Sequence, residues 1–297
     1  MLKVDSPLDA AVGTVTCSNH DWWYSGDPEE PSPGAQLDPS VPHPARIYNY
    51  WLGGKDNYAA DREAAEEVIR LRPQVVGSAL ANRYFLTRVV RYLAGDHGVR
   101  QFIDIGTGLP AFDNTHQVAQ DIAPECRIVY VDNDPLVLAN ARALLTSTRQ
   151  GACDYIDADL RDTTTILTQA AATLDFTKPV AVLLLSVLHL ITPGDDPAGI
   201  VAKLTEALAP GSFAAISHMT ADFAPGEVGG AVAAYNALAP VPVTARSHAE
   251  VTELFAGLPL VPPGVVPITE WRPTVHDRFP QHADLYGGVA RVPGGQP

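Results

Sequence analysis

The stretch Phe102-Ile-Asp104-Ile-Gly106-Thr-Gly108-Leu-Pro110 joins an apolar run to a glycine-bearing turn through one acid. Glycine at 106 and 108 removes Cβ atoms that would hold a ligand off the backbone, and it permits positive φ. A pyrophosphate-binding turn would carry a third glycine, as G-x-G-x-x-G, with the phosphates on the next helix N-terminus. Here residue 111 is Ala, Phe112 follows, and the charge of Asp104 would repel phosphate. The turn therefore suits a ligand that carries a positive group.

Two further acids follow in order. Asp132, in Val129-Tyr-Val-Asp132-Asn133-Asp134, stands twenty-four residues beyond Gly108, where a carboxylate can accept both hydrogen bonds of a ribose diol. Asp157-Ala-Asp159-Leu160-Arg-Asp162 follows a third apolar run, and Asp159 or its neighbours can meet an adenine amino group. Each acid alone is an ordinary turn or cap residue; three in sequence form a pattern.

His189, in Ser186-Val-Leu-His189 after a fourth run, is the candidate general base, the alternative being a histidine satisfied by local hydrogen bonds. His218, after a fifth run, is a second candidate. Gly53-Gly54-Lys55-Asp56-Asn57-Tyr58 reads as a mobile polar turn that can close over a site as a lid. It reads equally as the entry to a helix capped by Asp56 or Asn57. Arg83 and Tyr84 on the following helix can face the same cavity, or pack. The three cysteines, Cys17, Cys126 and Cys153, form no C-x-x-C pair and the nine histidines show no ligand spacing, so no metal is expected.

The elements that must position these groups follow from the rhythm of the chain. Strands are expected at 101–105, 127–131, 154–156, 180–185 and 213–217, with helices between them at 114–123, 135–147, 163–174 and 197–209. That alternation predicts a doubly wound, mostly parallel α/β sheet with ligand sites at the carboxyl ends of its strands. Helices at 57–71 and 79–94 precede it as a helical N-terminal cap. Asp195-Asp196-Pro197 has the cap-then-proline form of a helix start. Ser247-His-Ala-Glu250 has the reciprocal S-x-x-E capping form, so a helix should run from there to about residue 256 and stop at Gly257. Expected strands at 265–271 and 285–292 make an antiparallel C-terminal pair, for seven strands in all.

Composition sets the outer bounds. Of 297 residues 46% are hydrophobic, enough for a sizeable core. With 20 basic and 34 acidic residues the net charge is −14, which argues against nucleic acid or an anionic membrane as main partner. No run approaches the length of a membrane span, no signal peptide is evident, and the scarce cysteines suit a cytoplasmic location. Residues 1–44 are polar and proline-punctuated and read as a flexible arm, its one oddity being Trp22-Trp23-Tyr24. The expected organisation is thus an arm at 1–44, a helical cap or lid at 45–95 and a ligand-binding core at 96–293. The sequence leaves the oligomeric state open.

The motif order D-I-G-T-G, V-D-N-D-P, D-A-D-L and L-L-L-S-V-L-H-L, over residues 102–217, resembles the class I S-adenosylmethionine-dependent methyltransferases. The text Ala45-Arg-Ile-Tyr-Asn-Tyr50-Trp-Leu-Gly53-Gly-Lys-Asp-Asn-Tyr58 is similar to the signature of a narrower actinobacterial group long held as a domain of unknown function. The resemblance implies a Rossmann-like methyltransferase fold, S-adenosylmethionine as cofactor and S-adenosylhomocysteine as product; the expected methyl acceptor is a small molecule or another acceptor that the sequence does not identify. It implies Asp104, Gly106 and Gly108 at the methionine end, Asp132 on the ribose, Asn133 beside the adenine, Asp159 and Leu160 on the adenine edge, and Ser186 near the methionine amino group. Many members of the family carry Asp or Asn where this chain has Ser186. Tyr50, Gly53, Gly54, Lys55, Asp56, Asn57, Tyr58 and Arg83 fall to a lid or acceptor role. A non-catalytic S-adenosylmethionine sensor is the alternative function, because the cofactor motifs serve both.

Overall fold

The computed structural model describes residues 37–144, 146–274 and 283–294. Trp22-Trp23-Tyr24 and the prolines at 28, 31 and 33 lie outside the described residues. Seven strands form one sheet: β1 (Gln101–Ile105), β2 (Arg127–Asp132), β3 (Ala152–Asp157), β4 (Ala181–Leu185), β5 (Phe213–Met219), β6 (Val266–Pro267) and β7 (Leu285–Arg291). Their order is β3-β2-β1-β4-β5-β7-β6. The first five pair in parallel, and β7 runs antiparallel to both β5 and β6. The order reverses between β1 and β4, so the loops leaving these two strands diverge and open a crevice at their carboxyl ends.

The central strands are apolar throughout because both faces are covered. Ile103, Val129, Val131, Val182 and Leu184 face a core closed by α6 (Thr163–Ala170), α7 (Pro197–Glu206) and α9 (His248–Glu253). Phe102, Ile128, Tyr130, Leu183 and Phe213 alternate to the opposite face, under α3 (Gln74–Arg91) and α4 (Thr115–Ile122). α5 (Pro135–Leu144) connects β2 to β3. A third cluster joins α1 (Pro44–Trp51), α2 (Ala59–Leu71) and α8 (Pro225–Leu238) through Ile47, Ala64, Ala65, Val68 and Ala231. It stands over the carboxyl end of the sheet.

Capping sets several boundaries as the sequence predicts. Asp196 accepts from Gly199 N at 3.0 Å to start α7, and Ser247 and Glu250 cap each other's backbone to start α9. Elsewhere the structure corrects the expectation. α2 begins at Ala59, capped neither by Asp56 nor by Asn57: the Tyr58 N–H donates to Asp61 Oδ2 at 2.8 Å, while the Asn57 amide turns back to Asn49 and Gly54. The strand expected at 265–271 shortens to two residues. Pro267 has no N–H to continue the ladder, and buried Arg88 claims the carbonyls of Ile268 and Trp271 at 2.5 and 2.9 Å.

Candidate active site

A cavity of about 400 Å³ opens at the β1/β4 switch point. Asp104, Gly106, Gly108, Asp132, Asn133, Asp159, Leu160, Ser186, His189 and Arg83 all line it. The two glycines have different physical roles. Both take positive φ, +70° and +66°. A Cβ on Gly106 would fall 2.3 Å from Val187 Cγ2, so this glycine lets β1 and β4 close on one another. A Cβ on Gly108 would meet nothing within 4 Å, and its backbone faces open space. Gly108 is thus the position where a ligand can lie against the main chain.

Asp104 is 5% exposed and accepts from Thr115 Oγ1 at 2.6 Å through one oxygen. Burial raises its pKa to about 6, against the opposing pulls of Thr115 and the Arg83 guanidinium. Asp132 accepts from Gly108 N at 2.8 Å and Asp134 N at 3.0 Å, and burial likewise holds its pKa above the ordinary value. These bonds tie the glycine loop to the end of β2 and leave carboxylate lone pairs for a ligand diol. Asn133 donates to Asp159 at 3.3 Å, and Arg161 holds Asp159 at 2.9 Å. Arg161 also lines the cavity, a place that nothing in its local sequence signals.

Ser186 closes β4 with φ +55°, a strained value for a residue with a Cβ. Its N–H donates to Ser217 Oγ at 2.9 Å, Ser217 Oγ donates to Asn82 Oδ1 at 2.6 Å, and Asn82 Nδ2 donates to the Tyr48 hydroxyl at 3.1 Å. This chain of bonds links strand ends to α3 and α1. Tyr48 and Asn82 both line the cavity, and the sequence reading missed both. Arg83, the next residue on α3, donates to the carbonyls of Phe112 and Asp113 at 2.6 and 2.9 Å, while its buried Nε has no partner.

His189 lies on a 3-10 turn, Leu188–Leu190, and is half-buried, with Nδ1 shielded and unpartnered. Burial, then the positive charge of Arg246, lowers its pKa to about 4, so the ring is neutral near pH 7. Arg246 clamps the turn: it donates to Leu188 O at 2.9 Å, to Ile191 O at 2.8 Å, and to His218 Nε2 at 2.6 Å. Since an arginine only donates, His218 Nε2 must accept, and its Nδ1 carries the proton given to Met219 O at 2.7 Å. With both nitrogens engaged, and outside the cavity lining, His218 supports the wall behind His189.

The far half of the cavity is apolar: Ile47, Trp51, Val68, Val75, Val228 and Val232 contribute, together with the loop 240–243. On α1, Tyr48 and Trp51 lie on the lining face, whereas Tyr50 turns away and donates to Glu66 at 2.8 Å. Gly53, Gly54, Lys55, Asp56, Asn57 and Tyr58 also lie outside the lining; Lys55 and Asp56 are exposed, and Gly54 packs on Asn49. A buried Arg46 stands between Asp61 of α2 and Asp134 beyond β2, at 3.5 and 3.4 Å, and His43 Nδ1 lies 2.9 Å from Asp134. Burial alone would raise the Asp134 pKa; His43, with help from the Leu136 N–H and Arg46, brings it below the usual range. Among the described residues no group of three or more His, Cys, Asp or Glu is placed to hold a metal ion, and no helix is long and apolar enough to cross a membrane.

Comparison with known proteins identifies the family and the fold. The sequence profile of the S-adenosyl methyltransferase family matches residues 30–293. A DUF574 family protein from Streptomyces avermitilis is 44% identical, covers 85% of this chain and 98% of its own, and superposes with a TM-score of 0.82. A provisional methyltransferase from Thermobifida fusca is 36% identical, with 90% and 100% of the two chains covered and a TM-score of 0.78. An O-methyltransferase family protein from Burkholderia thailandensis, 14% identical over 80% of this chain and 61% of its own, shares the fold at a TM-score of 0.51. No curated protein matches the chain. An acid and two glycines at the β1/β4 crevice, an acid closing β2, and a profile that spans nearly the whole chain converge: it belongs to the S-adenosyl methyltransferase family and is an S-adenosylmethionine-dependent methyltransferase.

Proposed function

We propose that this enzyme moves the methyl group of S-adenosylmethionine to a small molecule seated in the apolar half of the cavity, releasing S-adenosylhomocysteine. The observation that carries the reading is the division of one cavity: acids and an open glycine at the strand ends, an apolar chamber beneath α1, α2 and α8. The cofactor's charges fit what is buried there. Asp104 faces a cationic amino group, and the unpartnered Nε of Arg83 meets a carboxylate. Asp132 takes the ribose hydroxyls, Asn133, Asp159 and Leu160 border the adenine, and the Ser186 backbone sits at the methionine end.

S-adenosylmethionine supplies an already activated methyl group, so alignment of the acceptor gives most of the rate. The helical cap at 45–95, with α8, holds that alignment and excludes water. In this reading residues 53–58 act from behind, setting α1 against α2, and His189 is the polar group nearest the chemistry. A chamber with room beyond the strand ends favours an enzyme over a sensor. The acid excess disfavours nucleic acid as acceptor, and the free thiols Cys126 and Cys153 suit the cytoplasm.

Calorimetry with S-adenosylhomocysteine tests the site. Binding should be measurable, and Asp132→Ala should weaken it by about 100-fold, since two diol hydrogen bonds to a carboxylate and the anchor of the glycine loop are lost together. Unchanged affinity in Asp132→Ala would remove the ribose assignment.

A further inference from the structure

The apolar chamber contains two buried polar atoms without partners, His189 Nδ1 and the Tyr235 hydroxyl. Both residues line the cavity, and Tyr235, on α8, is only 5% exposed. Buried polar atoms in folded proteins are nearly always paired, so two unpaired ones on residues that line one cavity mark where a ligand's polar group belongs. Charged groups on this side are already committed. Arg72 is bound by Asp284 at 2.9 Å and by Glu227, and Arg246 by two carbonyls and His218.

We propose that the methyl acceptor is a neutral, mostly apolar molecule with a hydroxyl group, received between the Tyr235 hydroxyl and His189 Nδ1. A carboxylate would lose its hydration here without a free cation to meet, and an ammonium would lack a free acid. A hydroxyl suits both handles, because it accepts from Tyr235 while donating to a neutral imidazole. Methylation at that oxygen forms the O–C bond from an oxygen lone pair, leaves the electrons of the broken C–S bond on sulfur, and delivers the hydroxyl proton to His189 Nδ1 and then to water. That proton becomes strongly acidic as the O–C bond forms, so a weak base suffices.

The inference rests on the cofactor reading, and its test separates the two. Matched probes, 1-naphthol, 1-naphthoate and 1-naphthylmethylammonium, are titrated calorimetrically into the full chain, with and without saturating S-adenosylhomocysteine. The expected result is that 1-naphthol binds at least about tenfold more tightly than either charged analogue. Tyr235→Phe should weaken 1-naphthol by about tenfold, one buried hydrogen bond, while S-adenosylhomocysteine affinity stays within about twofold. Equal or tighter binding of a charged probe, no binding of 1-naphthol, or a Tyr235→Phe protein with unaltered naphthol affinity overturns the proposal. The probe series on the unsubstituted protein decides the question if Tyr235→Phe does not fold. Absence of S-adenosylhomocysteine binding with the naphthol preference intact would instead defeat the cofactor reading alone.

Discussion

Asp104 combines an ordinary strand-end position with an unusual electrostatic state. Its folded pKa of about 6 exceeds the usual 3.8 because it is buried, so the protonated acid favours the fold. That contribution, about 3 kcal/mol for a shift of this size, is complete below pH 4 and is lost as pH rises through 6. A bound amino group selects the ionised form and reverses the preference. S-adenosylhomocysteine affinity should therefore fall by about tenfold between pH 7 and pH 5, and Asp104→Asn should bind more weakly with no such dependence. Titration calorimetry across that window checks the sign; a flat profile in the unsubstituted protein would detach Asp104 from the ligand's amino group. The sequence displayed this acid and its two glycines openly, because a strand that ends in D-x-G-x-G leaves few local conformations. What differs between Gly106 and Gly108 was hidden, since only the packing of Val187 shows that the first is needed for close approach.

Among the elements, the turn that carries His189 depends on a residue far along the chain. Arg246 lies in the segment between α8 and α9 and donates to the carbonyls on both sides of the histidine. Arg246→Met would keep the volume and remove every donor, leaving a buried carbonyl and His218 Nε2 unsatisfied. The expected cost is about 3 kcal/mol, seen as a fall in Tm of roughly 6–12 °C for a chain of this size. Thermal melting followed by circular dichroism measures it, and a loss below about 1 kcal/mol would show the clamp to be dispensable. α8 itself escaped the sequence reading because Pro225–Leu238 is rich in Gly and Ala and shows no helical apolar stripe. Its stability comes from docking Val228, Ala231 and Tyr235 against α2, a tertiary cause. α1 was equally obscure, being eight residues long and recognisable chiefly by Pro44 at its first position.

At the scale of the whole molecule, the cavity is where otherwise separate parts meet: α1, α2, α3 and α8 supply one side, the ends of β1, β2 and β4 the other. Cofactor bound across that seam should stabilise the molecule as a unit. At 100 times its Kd, S-adenosylhomocysteine adds about 2.7 kcal/mol, which corresponds to a rise in Tm of roughly 5–10 °C. Differential scanning calorimetry would reveal it, and an unshifted transition at that concentration would show that the folded protein does not bind the ligand. Most of the 34 acids remain a solvated surface, with Asp104, Asp132 and Asp134 among the buried exceptions. The sequence by itself determined the alternating sheet and its parallel core, and it displayed the residues at the strand-end side of the cavity, because those rest on short-range signals: hydrophobic period, caps and the acids that follow the first three strands. Only the tertiary structure decided the apolar half of the cavity. Tyr48, Asn82 and Tyr235 come from three helices without local motifs, and helix packing brings them around one cavity, while Arg246 holds the His189 turn from outside its lining.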